Sequence, residues 1–145
     1  MAATFNQNRL VKDANLVKSK ALPAAGASNN SATFDLHAAG TPLPEAVAVE
    51  VSIPAMSANN SASYSATITL QHSTDDSSYT NTDDGTNSLP AIVITTPGVA
   101  STGSVARVVR FALPSGLNRY VQFNQAVTTG GPTLTGTSIT YSLLF

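Results

Sequence analysis

The residues of this chain that could do chemistry are few and far apart. Two histidines, His37 and His72, fall near the ends of different alternating segments, and no nucleophile stands at a motif spacing from either. No G-x-S-x-G turn occurs, so the histidines read as surface or rim residues rather than general bases. Glu45 and Glu50 lie in one extended stretch at an odd separation, which points them to opposite sides and denies them a glycosidase geometry. Asp75, Asp76, Asp83 and Asp84 offer the hard oxygens that cations prefer. They do not follow the D-x-[DN]-x-[DN]-G loop, and aspartates in turns commonly cap local amides. With no cysteines, disulfides, thiolate metal sites and thiol nucleophiles are excluded. The expectation is a chain with no catalytic centre, no cofactor and no metal.

The elements that would carry any site are strands. Val47, Val49, Val51 and Ile53 alternate with polar or small residues, as in a half-buried strand, and Pro54 closes the run. Tyr64, Ala66, Ile68 and Leu70 alternate with Ser65, Thr67, Thr69 and Gln71. Leu89 to Thr95 is a compact apolar run ended by Pro97-Gly98. Val105, Arg107, Val109 and Phe111 form one row, Val121, Phe123 and Val127 another, and Ile139, Tyr141, Leu143 and Phe145 the last. With Thr33–His37 as opener, the pattern predicts about eight strands at spacings of roughly 10 to 20 residues. The predicted fold is all-β: an antiparallel eight-stranded jelly-roll β-sandwich over 31–145, with an immunoglobulin-like sandwich as the alternative.

Residues 1–30 read as an extended N-terminal arm and linker, ending in Ala24-Ala25-Gly26-Ala27-Ser28-Asn29-Asn30. This segment carries Arg9, Lys12, Lys18 and Lys20 against Asp13 alone. Four dispersed cations without interleaved aromatics predict contact with a neighbouring protein and no direct nucleic-acid binding. Charged residues are only 10% of the 145, and the formal net charge is −1. A surface built from hydroxyls and amides repels its neighbours weakly, which suits a protein that works in an assembly. No signal-peptide core or membrane span is visible, so synthesis in the cytosol and no membrane contact are expected.

Three stretches carry a resemblance: Thr33-Phe34-Asp35-Leu36 leading to Gly40; Ile68-Thr69-Leu70-Gln71-His72-Ser73-Thr74-Asp75-Asp76 running on to Tyr79; and Leu113-Pro114-Ser115-Gly116-Leu117-Asn118-Arg119-Tyr120-Val121. In this order, with a polar N-terminal segment, the chain resembles the capsid cement (decoration) proteins of tailed bacteriophages, of the type carried by a Bordetella phage. The opener departs from that pattern, because His37-Ala38-Ala39 delays the glycine. The resemblance implies a jelly roll on the outer surface of the virion capsid, made in the host cytoplasm. It would clamp neighbouring major capsid proteins against the pressure of packaged DNA. Its implied partners are the major capsid protein and itself, with a homodimer favoured and a trimer as the other option.

The candidate partner contacts are therefore Arg9, Lys12, Lys18, Lys20, Arg119 and Tyr120. Tyr120 beside Arg119 fits an interface anchor, since Tyr and Arg are enriched there; the other reading is a structural tyrosine bonded across the turn. Arg107 shares a row with valines, which leaves three options: a pair with Asp35, a pair with Glu50, or a contact face. The functional alternative is a carbohydrate-binding or adhesive module. Against it, the chain has no Trp, and Tyr64, Phe111, Phe123 and Tyr141 fall on inward rows.

Overall fold

Strands that alternate apolar and polar residues can hide only one face, so they become stable as sheets that lay their apolar faces together. The computed structural model has that form. It describes residues 12–37, 48–56, 64–82, 93–98, 104–114, 116–128 and 134–144. Among the described residues there are ten strands and no helix: β1 (Lys12–Ala21), β2 (Ser28–Asn30), β3 (Phe34–Asp35), β4 (Ala48–Ile53), β5 (Tyr64–Ser73), β6 (Thr80–Asn81), β7 (Val93–Gly98), β8 (Arg107–Ala112), β9 (Tyr120–Val127) and β10 (Ser138–Leu144). A four-stranded sheet has the order β1-β10-β4-β8. A six-stranded sheet runs β2-β9-β5-β6, with β3 also on β9 and β7 also on β5. Every pairing is antiparallel.

The inward rows are the ones the alternation marks. Val49, Val51 and Ile53 from β4 and Ile139, Tyr141 and Leu143 from β10 meet Ala66, Ile68 and Leu70 from β5 and Val121, Phe123 and Val127 from β9. Phe123 joins the sheets. Its ring stacks on Tyr141 at 4.4 Å and 8°, and meets the edges of Phe34 and Phe111 at 6.4 and 6.5 Å. Offset and edge-on ring pairs are the arrangements the aromatic quadrupole favours.

Four sequence expectations need correction. Residues 12–30 are not an arm outside the domain, for β1 is an edge strand on β10 and β2 pairs with β9. Lys18 and Lys20 lie opposite Tyr141 and Ile139, on the inward row of β1, and are half-buried. An edge position lets a long side chain lay its stem on the core and keep its ammonium wet. It also breaks the apolar alternation that would have announced the strand. Residues 1–11 lie outside the described residues.

Among the described residues there are ten strands where the alternation predicts about eight. β2 and β3 run along the same neighbour, β9, and are parted at Ser31, whose hydroxyl accepts the Phe123 N–H at 2.9 Å where a backbone carbonyl would otherwise stand. β6 is a two-residue addition to β5.

Pro97-Gly98 does not end the seventh strand but belongs to it, opposite Ser65 and Tyr64. Ser65 uses both its N–H and its C=O on Thr128, across the other flank, so Pro97 faces no backbone donor or acceptor it would have to serve. Val105 departs from its row too. It precedes β8, beyond the last β4–β8 pair at Ile53 and Arg107, and is 82% exposed.

Candidate interaction surface

Strand β9 sets the geometry of the most ordered surface group. Its first residue, Tyr120, pairs with Asp35 of β3 on one side and Ser73 of β5 on the other. Arg119, just before it, forks onto Asp35: Nε to Oδ1 at 2.9 Å and the terminal nitrogen to Oδ2 at 2.7 Å. The same guanidinium lies 4.9 Å from the centre of the Tyr120 ring. The fork from Arg119, with the His37 N–H on Oδ1 at 2.9 Å, brings the Asp35 carboxyl down to about 2. Arg119 thus ties β3 to β9 through Asp35 and leaves a charge-balanced group at the surface.

A second group adjoins it where β5 ends. Asp75 accepts the N–H groups of Ser77 and Ser78, each at 3.0 Å, and the Ser73 hydroxyl at 2.8 Å. These bonds, the Ser78 amide foremost, hold its carboxyl well below the usual carboxylate range. The local-capping reading of this aspartate is thus what the turn contains. Asp76 adopts φ 59°, the left-handed region that Asp tolerates better than most residues. Its carboxylate receives the Tyr79 hydroxyl, which sits 3.0 Å from the Thr33 hydroxyl. Burial first, then the bond to Asp76, pushes Tyr79 up to about 12.

Between and beyond these groups lies the outward face of the six-stranded sheet. Tyr120, Gln122, Asn124 and Ala126 alternate with the inward row of β9, beside Thr67, Thr69, Gln71 and Ser73 of β5, and of these Gln122 and Ser73 are themselves buried. The amides bond to one another: Gln122 donates to Gln71 at 3.1 Å, Gln71 to Asn81 at 3.1 Å, and Asn124 to Asn30 at 2.8 Å. No Asp, Glu, Lys or Arg occurs in β2, β5, β6 or β9. Sequence reading missed this plate because Gln and Asn in outward positions look like ordinary solvated residues. Their alternation with Val121 and Phe123 was the available signal.

The opposite sheet differs. On its outward face Arg110 of β8 meets Glu50 of β4 at 2.7 Å, with side chains 64% and 12% exposed, and Val108 is 57% exposed. Glu50 thus pairs with Arg110 and Asp35 with Arg119, while Arg107 sits half-buried on the inward row.

Among the described residues, the predicted contacts Arg119 and Tyr120 come together in the group beside Asp35. Lys18 and Lys20 lie along β1, Lys12 stands opposite Leu144 in the same strand, and Arg9 lies outside the described residues. His37 is exposed, and His72 is half-buried with Nδ1 accepting the Asn118 N–H at 3.3 Å. Glu45, Asp83, Asp84, and the segment 38–47 where the delayed glycine falls also lie outside the described residues. Among the described residues no three metal-ligating side chains cluster, and no helix is long and apolar enough to cross a membrane. The chain matches no protein-family model, no curated protein and no solved structure.

Proposed function

We propose that this chain is a structural cement (decoration) protein that grips the outside of a phage capsid and clamps neighbouring major capsid proteins. The observation that carries the reading is the uncharged, internally hydrogen-bonded plate of the six-stranded sheet, bordered by the ordered Asp35–Arg119–Tyr120 group. Such a face offers area rather than a pocket. Amides and hydroxyls cost less to desolvate than charges when a partner covers them. Because the plate's side chains already hold one another, less rotamer freedom is lost on docking. A stable contact of this kind buries about 1,200–2,000 Å² in total over both partners.

The fold belonging to this reading is a jelly roll. With β2 and β3 taken as one course along β9, and β6 as an excursion from β5, eight strands remain. They pair first with last, second with seventh, third with sixth and fourth with fifth: β1–β10, β2/β3–β9, β4–β8 and β5–β7. That nested order is what two interlocked Greek keys produce, and it supports the jelly-roll assignment over an immunoglobulin-like one.

The test is co-sedimentation of the purified protein with DNA-filled phage shells stripped of decoration, alongside a glycan-binding screen. Saturable pelleting with shells is the expected result, weakened by Tyr120→Ala or Gln122→Glu in a protein that still folds. Glycan binding without shell binding would instead assign the plate to an adhesive module.

A further inference from the structure

Where the edge strands β1 and β2 of the two sheets come together, the inward-facing side chains are polar. Asn29 of β2 and Gln125 of β9 are directly paired residues, and both point into the sandwich. Gln125 is fully buried. Each amide reaches across to the other sheet. Asn29 Nδ2 donates to the Ala21 carbonyl at 3.0 Å, while Gln125 Nε2 donates to the Tyr141 hydroxyl at 2.7 Å and approaches the Lys20 carbonyl at 3.5 Å. The nitrogen end of Asn29 is therefore fixed by a backbone carbonyl, and that of Gln125 by the Tyr141 hydroxyl with the Lys20 carbonyl beyond it, so turning either amide would set its oxygen against a carbonyl oxygen. The oxygen ends, Asn29 Oδ1 and Gln125 Oε1, are buried and have no hydrogen-bond partner among the described residues.

Two orphaned acceptors on directly opposed residues, whose Cβ atoms in such pairs stand about 4.5–5.5 Å apart, call for a donor with two protons. We infer that this seam binds one internal water molecule, which donates to Asn29 Oδ1 and to Gln125 Oε1. The Tyr141 hydroxyl accepts the Gln125 bond and keeps its own proton to give, supplying the third partner that buried waters typically have. A metal cation is the poorer occupant. Lys18 and Lys20 lie on the same inward row of β1, and hard cations take more oxygens than two. The bound water completes a polar tie between the two sheets and fixes the edge strand that leads to residues 1–11.

The test uses the intact protein. A high-resolution crystal structure should show a water peak within about 3 Å of both oxygens. Rotating-frame NMR should show cross-peaks from a long-lived water to the side-chain amide protons of Asn29 and Gln125. Gln125→Leu should abolish the cross-peak at Asn29, and Gln125→Glu, which keeps an oxygen, should retain it. A dry seam, or either oxygen accepting from a lysine ammonium or another protein donor, would overturn the assignment. The wild-type measurement alone decides if Gln125→Leu fails to fold.

Discussion

Replacing Phe123 with alanine tests whether one ring really joins the two sheets. Phe123 is fully buried and meets three other rings, one of them stacked face to face at 4.4 Å. Truncating a buried phenylalanine costs about 3–5 kcal/mol, by lost transfer energy and by the cavity left behind. Each ring pair adds about 0.5–1.5 kcal/mol beyond its burial, so the loss should fall at the top of that range, about 4–5 kcal/mol. Phe111 is the internal control. It sits on the edge strand β8, is only half-buried, and has one ring partner among the described residues, so Phe111→Ala should cost about 1–2 kcal/mol. For a chain of 145 residues, at about 3 °C per kcal/mol, the melting points of the two variants should differ by about 9 °C. Urea unfolding followed by far-UV circular dichroism measures both, and equal m-values would show that the unfolded states are comparable. If Phe123→Ala lost no more than Phe111→Ala, the facing-sheet core described here would be wrong.

Acid should loosen the surface tie between β3 and β9. The Asp35 carboxyl is lowered in the folded state from its ordinary 3.8 to about 2, so its stabilisation is present above the ordinary value and is lost as pH falls through about 2. Asp35→Asn should flatten the pH dependence of stability in that window, and an unchanged slope would show that the fork is idle. Arg110→Ala should cost about 1 kcal/mol, because Glu50 is mostly buried while the exposed arginine is screened by solvent; a double-mutant cycle with Glu50→Gln measures the coupling. Lys18→Val with Lys20→Val should leave folding intact but raise self-association, since inward-pointing charge guards a sheet edge, and sedimentation velocity should reveal species larger than the parent.

The central strands were legible because their chemistry is strictly periodic. β4, β5, β9 and β10 place apolar residues on most alternate positions, and those residues make up the core. The edges were not legible. β1 carries Lys18 and Lys20 on its inward row, which only an edge strand can sustain, so it read as a basic arm. The broken course of β2 and β3 depends on one serine hydroxyl replacing a backbone acceptor, a substitution no periodicity reveals. Arg119 and Tyr120 could be singled out from their types and the preceding turn. Their third member, Asp35, is 84 residues away in the chain, and only strand pairing brings it there. Gln125 was hidden in a similar way: it occupies a core position whose partners, Asn29, Lys20 and Tyr141, come from three other strands.

The most direct measurement of the proposed role is the rupture temperature of DNA-filled phage shells with and without this protein bound. Added in saturating amounts to stripped shells, it should raise the temperature at which DNA escapes, and a variant with Gln122→Glu and Tyr120→Ala should raise it less. Shells that bind the protein yet rupture at the same temperature would contradict the clamping role.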